Sequence, residues 1–134
     1  MSGLPLAAVV STGQSHESRL IGAVVDAINV PSRRGRPRPT RVVCDKGYSY
    51  RAVKEQLRTH GIGWVIPTRS DQPSEPGFDR AAYRRRNIIE RLSGWLKEYR
   101  RIGTRHEKLA IMYHAMVLLA FISEYLDHHL SDTA

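Results

Sequence analysis

Cysteine is nearly absent: Cys44 is the single one in 134 residues. That excludes a disulfide framework and a cysteine-based zinc cluster. Long uninterrupted apolar runs are also missing. None reaches the roughly 18 residues needed to span a bilayer, and no charged-then-apolar leader opens the chain. The sequence therefore predicts a cytoplasmic protein with no membrane partner. No internal repeat is present, which excludes solenoids and propellers. Acids are scarce beside bases, 13 against 21, giving a net charge of +8. Against these shortages stand ordinary globular proportions, 41% apolar and 25% charged. A chain of this length and composition buries one domain's core rather than staying disordered.

The charge is unevenly distributed. Residues 1–30 carry one Arg against Glu17 and Asp26, net −1. Residues 31–108 carry twenty basic and eight acidic side chains, net +12. Residues 109–134 hold no Lys or Arg and three acids, net −3. A basic middle of this density points to a polyanion, most simply nucleic acid. A solvated basic surface is the plain alternative.

Hydrophobic patterning predicts alternating strands and helices. Leu4–Val10 is short, apolar and bounded by Gly3 and Ser11-Thr12-Gly13, so it reads as a strand. Ser15 is placed to cap a helix over 16–29, with Leu20, Ile21, Val24, Val25 and Ile28 on one face and Pro31 beyond its end. Residues 31–40 hold three Pro and four Arg and form an exposed basic loop. Val42-Val43-Cys44 is a short buried-type strand ending at Asp45, followed by a turn at Lys46-Gly47-Tyr48. Ser49 opens a helix to Thr59, with Tyr50, Val53 and Leu57 on one face, and Gly61 stops it. Residues 63–67 form another strand, and 68–80 a polar loop. A long helix spans 81–101, broken by Gly103, and a last helix spans 107–130. Its stretch Leu109–Ile122 is nearly all apolar, which predicts burial in the domain or in a dimer contact. The whole reads as α/β with a partly parallel sheet.

At about 100° per residue, Ile88, Ile89, Leu92, Trp95, Leu96 and Tyr99 share one face of the 81–101 helix. Tyr83, Arg86, Glu90 and Lys97 fall within about 60° of one another on the other side. Such a carboxylate can hold a divalent metal while the cations hold a DNA backbone. The same stripe also fits a solvated face with an Arg86–Glu90 pair. Asp45 adds to the constellation, because open α/β sheets place sites past the carboxyl ends of their strands. It is one of two acids between residues 31 and 58, against nine bases. Two such acids suit metal-assisted phosphoryl transfer; a capping carboxylate is the alternative for Asp45.

Val43-Cys44-Asp45-Lys46-Gly47-Tyr48 resembles the second-aspartate motif of bacterial insertion-sequence DDE transposases. Tyr83, Arg86, Glu90 and Lys97 stand at the signature spacing of those enzymes. Phe78-Asp79-Arg80, the run from Arg100 to Lys108, and Pro5-Leu6 with Thr12–Glu17 are also similar, so the resemblance covers nearly the whole chain. It implies a ribonuclease-H-like mixed sheet with flanking helices. It implies three acids using Mg²⁺, with Mn²⁺ able to substitute, for strand cleavage and transfer. Asp45 would be the second acid and Glu90 the third, both metal ligands. Tyr83, Arg86, Lys97, Lys46, Arg100, Arg101 and Arg105 would contact DNA. A bacterial, nucleoid-associated protein and homo-oligomers of the complete enzyme are further expectations of the resemblance.

One departure matters. In the family the first catalytic Asp ends the strand before the Gly-x-Pro-Leu segment, which here begins at Gly3. No first catalytic Asp is therefore expected in this chain, nor the first central strand. Glu17 and Asp26 do not take its place. The resemblance predicts a single N-terminally truncated catalytic domain over 1–134, inactive alone and completed by the N-terminal half of the transposase. A catalytically dead DNA-binding remnant or regulator is the second reading. His128-His129, His114, Cys44, Trp64 and Trp95 read as packing or solvated side chains.

Overall fold

The computed structural model describes residues 3–11, 16–29, 38–103 and 109–131. They belong to two compact units, one of Ser15–Asn87 and one of Met1–Gln14 with Ile88–Ala134. The architecture is mixed α/β with a small parallel two-stranded sheet among the described residues.

In the Ser15–Asn87 unit, β1 (Arg41–Val43) pairs in parallel with β2 (Gly63–Val65), with Val42 opposite Trp64 and Val43 opposite Val65. Parallel strands need a crossover. Here it is a 3₁₀ turn at Lys46–Tyr48 followed by α2 (Arg51–Thr59). The helix turns Val53 and Leu57 inward, four residues apart on one face. Tyr50 precedes it and is exposed, so the expected third member of that face lies outside the core. Gly61 ends α2 with a φ of +66°, where a Cβ would be strained. Its N–H bonds the Arg58 carbonyl, and the Ile62 N–H bonds the Leu57 carbonyl, both at 2.9 Å.

The first predicted helix is a 3₁₀ turn at Glu17–Leu20 leading into α1 (Ile21–Ala27). Ser15, Pro31 and most of the 31–40 loop lie outside the described residues. Ile21 and Val25 of α1, Val53 and Leu57 of α2, and Ile62 and Ile66 around β2 make one core. Val42, Cys44, Tyr48 and Trp64 pack against it. Each fully buried aliphatic side chain contributes about 1.5–3 kcal/mol.

In the other unit, the expected strand Leu4–Val10 makes no ladder. Its carbonyls find helix side chains instead: the Tyr125 hydroxyl donates to Pro5 O at 2.8 Å, and His114 Nε2 lies 3.1 Å from Ala8 O. A segment whose carbonyls are met this way, and whose Pro5 has no N–H, has little to gain from strand pairing.

The expected single helix over 81–101 is three pieces: α3 (Arg80–Arg84), α4 (Asn87–Glu98) and α5 (Arg100–Gly103). Asn87 is a residue that starts helices better than it continues them. The chain turns at Arg85-Arg86 between them. Gly103 closes α5 rather than following it. A Cβ there would stand 2.6 Å from the Lys97 carbonyl oxygen, so only glycine fits the fold-back.

The last helix, α6, is Ala110–Ser131. Val117, Ala120 and Phe121 are buried with Ile102, and Ala8, Trp95, Leu96, Tyr113 and Met116 pack against them. The rest of its apolar surface is exposed, including Ile111, Leu118, Leu119, Ile122 and Leu126. The expectation of burial within the domain is thus corrected. No uninterrupted apolar run reaches 18 residues, yet α6 as a whole is long and apolar enough on average to cross a membrane. His114, Ser123 and Glu124 interrupt the run without lowering its average enough to disqualify it. One such helix is a weak indicator, since core helices of soluble proteins pass the same test.

Candidate functional site

Parallel pairing brings the carboxyl ends of β1 and β2 to one edge. The Cys44 N–H extends the ladder to Val65 O at 3.1 Å. Asp45 then leaves the strand in extended geometry and caps the 3₁₀ turn, its Oδ1 accepting from the Gly47 N–H at 2.7 Å. A Cβ at Gly47 would lie 2.9 Å from that same oxygen. The glycine therefore sets how the carboxylate is held. The capping alternative is realised, and it uses one oxygen.

Asp45, Lys46 and Gly47 line a cleft of about 760 Å³ together with Arg69, Ser70, Tyr83 and Arg86. All seven belong to the Ser15–Asn87 unit. Three cations face one carboxylate here, which suits an anion better than a bare metal ion. The loop after β2 is tied down on both flanks. Gln72 accepts from the Arg69 N–H at 3.3 Å and donates to Ser49 O at 3.4 Å, and Lys54 pairs with Glu75 at 3.0 Å.

Tyr83 comes from α3, whose N-terminus is capped by Asp79. One Asp79 oxygen accepts from Ala82 N at 2.8 Å, and the other meets the Arg41 guanidinium at 3.2 Å. The backbone N–H of Ala82, with the charge of Arg41, holds this carboxyl below its ordinary range. Asp79 thus connects the first residue of β1 to the helix bearing Tyr83. Phe78 packs on Tyr83 at 5.5 Å between ring centroids, and the Arg86 guanidinium lies 5.8 Å from the Tyr83 ring.

Of the sequence-expected residues, Asp45, Lys46, Tyr83 and Arg86 share this cleft. Glu90 and Lys97 belong to the other unit. They lie exposed in the first and last turns of α4, where an acid and a base complement the helix dipole. The continuous stripe expected of one helix is divided, because α3 ends at Arg84 and α4 begins at Asn87. Arg100 and Arg101 open α5, and Arg105 lies outside the described residues. Arg69 was not expected in the site. The signal available was its place four residues beyond the end of β2, at the same sheet edge as Asp45.

Among the described residues, no group of three or more His, Cys, Asp or Glu side chains is arranged to hold a metal ion. Mg²⁺ commonly takes one or two carboxylates and completes its shell with water and phosphate oxygens. Asp45 is the one carboxylate that this cleft offers to such a shell. Burial, and then the neighbouring Asp45 charge, push the Cys44 thiol up to about 11. It is an inert packed side chain. His114 is likewise accounted for by its contact with Ala8. Trp64 and Trp95 each pack against a core.

The geometry defines a class: a carboxylate at the carboxyl end of a parallel strand, in a cleft lined by three cations. The family follows from comparison. The model of the transposase DDE domain family matches residues 1–124, and this chain belongs to that family. It is 32% identical over 121 residues to a Burkholderia cepacia protein described as "Putative transposase for insertion sequence element IS402". That match covers 88% of this chain and 55% of the relative, so the chain spans about half the relative's length. No solved structure matches.

Proposed function

We propose that this chain is the part of a DDE transposase that supplies the second and third catalytic acids, acting in DNA strand cleavage and transfer. The observation that carries the reading is Asp45 at the strand end, in a cleft with Lys46, Arg69 and Arg86. Asp45 and Glu90 are assigned as ligands of Mg²⁺, or of Mn²⁺ in its place. When bound, such an ion activates the attacking oxygen and steadies the leaving one. Lys46, Tyr83, Arg86, Lys97, Arg100, Arg101 and Arg105 are assigned to DNA. Phosphate contacts of this kind give affinity and register rather than sequence choice.

In this proposal residues 1–134 belong to one ribonuclease-H-like catalytic domain. An N-terminal part supplies the first acid and central strand, and the 134 residues alone are inactive. The complete enzyme acts in the cytoplasm as a homo-oligomer on its element's ends and target. The test is Mg²⁺-dependent strand cleavage by the completed transposase carrying Glu90→Gln. Loss of cleavage with DNA binding retained is expected; full cleavage overturns the assignment.

The scarcity of clustered metal-binding side chains among the described residues favours a second reading, a DNA-binding remnant or regulator. That reading needs only the basic middle. It expects Asp45→Asn to leave Mg²⁺ affinity in the presence of DNA unchanged.

A further inference from the structure

We propose that Arg69 is a phosphate-binding residue of the Asp45 cleft, oriented by Tyr50 to grip a DNA backbone. The inference rests on the reading of this cleft as a DNA site and adds a residue to it. Arg69 follows β2 as Asp45 follows β1, so register alone puts both at one sheet edge. Its NH1 donates to the Tyr50 hydroxyl at 2.9 Å, and its guanidinium carbon lies 5.6 Å from the Tyr50 ring centroid. Its Nε lies 3.4 Å from Asp71 Oδ1, on an exposed side chain.

A neutral ring and hydroxyl thus fix the guanidinium while leaving its charge in place. The remaining opposition comes from a surface ion pair, which is worth little in water. A planar guanidinium has five donors in a rigid fork and binds phosphate two-pronged. Four other cations of this unit are paired with acids: Arg38 with Asp26, Arg41 with Asp79, Lys54 with Glu75, Arg58 with Glu55. None of those four lines the cleft. Gln72 completes the arrangement by joining the Arg69 backbone to Ser49, four residues from Asp45.

The test is binding of the full chain to a fluorescent duplex, read by anisotropy in EDTA across a salt series. Arg69→Gln should weaken binding about tenfold at low salt and lower the slope of log affinity against log salt by about 1. Arg69→Lys should restore the slope but not the full affinity. Tyr50→Phe should fall between wild type and Arg69→Gln. Asp71→Asn should tighten binding by removing the competitor. Arg58→Gln, outside the cleft, should leave both quantities unchanged.

A folded Arg69→Gln protein with the wild-type slope overturns the inference and leaves the proposed function standing. Failure of wild type itself to bind DNA overturns both. If Arg69→Gln does not fold, Asp71→Asn carries the test, and unchanged affinity in that variant overturns the inference.

Discussion

In the Ser15–Asn87 unit, Leu57, Ile62 and Ile66 are 1–2% exposed. In the other unit, α6 buries Val117, Ala120 and Phe121 but leaves Ile111, Leu119 and Leu126 more than half exposed. The first unit assembles its core from α1, α2 and the two strands. The second depends on contacts between distant segments, such as Pro5 with Tyr125 and Ala8 with His114. The cleft with Asp45 sits wholly on the first unit. A site that must hold a carboxylate and cations in register gains from a well-buried support.

Core substitutions give the largest expected break in this comparison. Leu57→Ala should destabilise the Ser15–Asn87 unit by about 2–5 kcal/mol, read by urea unfolding with Trp64 fluorescence. A cost under about 1 kcal/mol would mean that this core is loose.

Next is Gly103→Ala in the second unit. It forces a Cβ against the Lys97 carbonyl and should cost about 1–3 kcal/mol by overpacking. A neutral result would show that α5 moves freely away from α4.

Asp79→Ala should have a smaller effect, and a pH-dependent one. The folded carboxyl is held below its ordinary value of 3.8, chiefly by the Ala82 N–H. Its contribution is therefore present above that value and lost as pH falls through the lower, folded one. Thermal midpoints of wild type and Asp79→Ala should converge as pH falls through that lowered, folded value. A gap independent of pH would contradict the capping role.

The smallest effect belongs to the exposed face of α6. Leu119→Lys should shift stability by less than about 0.5 kcal/mol in the isolated chain. A large loss would mean that the face is covered in solution.

What the sequence made legible follows the same division. β1, α2, Gly61 and β2 are local signals: a Val-Val run, a two-residue inward face, a glycine stop. Asp45 was readable because strand ends are where such sheets put their sites. The break between α3 and α4 was not readable from a breaker, because Arg84-Arg85-Arg86-Asn87 contains neither Gly nor Pro. Helical periodicity ran through it and joined Tyr83 and Arg86 to Glu90 and Lys97. The irregular Leu4–Val10 was hidden for another reason: a strand exists only with a neighbour, and its neighbour is helical. Arg69 escaped because its meaning depends on strand register, which no single segment contains.

The central claim is that Asp45 and Glu90 act together on a metal ion at a DNA backbone. The most direct measurement is Mn²⁺ binding by electron paramagnetic resonance, with duplex DNA present, for wild type, Asp45→Asn and Glu90→Gln. Each substitution should weaken Mn²⁺ binding about tenfold or more, the loss of a charged ligand from a site with few carboxylates. Wild-type Mn²⁺ affinity in both variants would contradict the account.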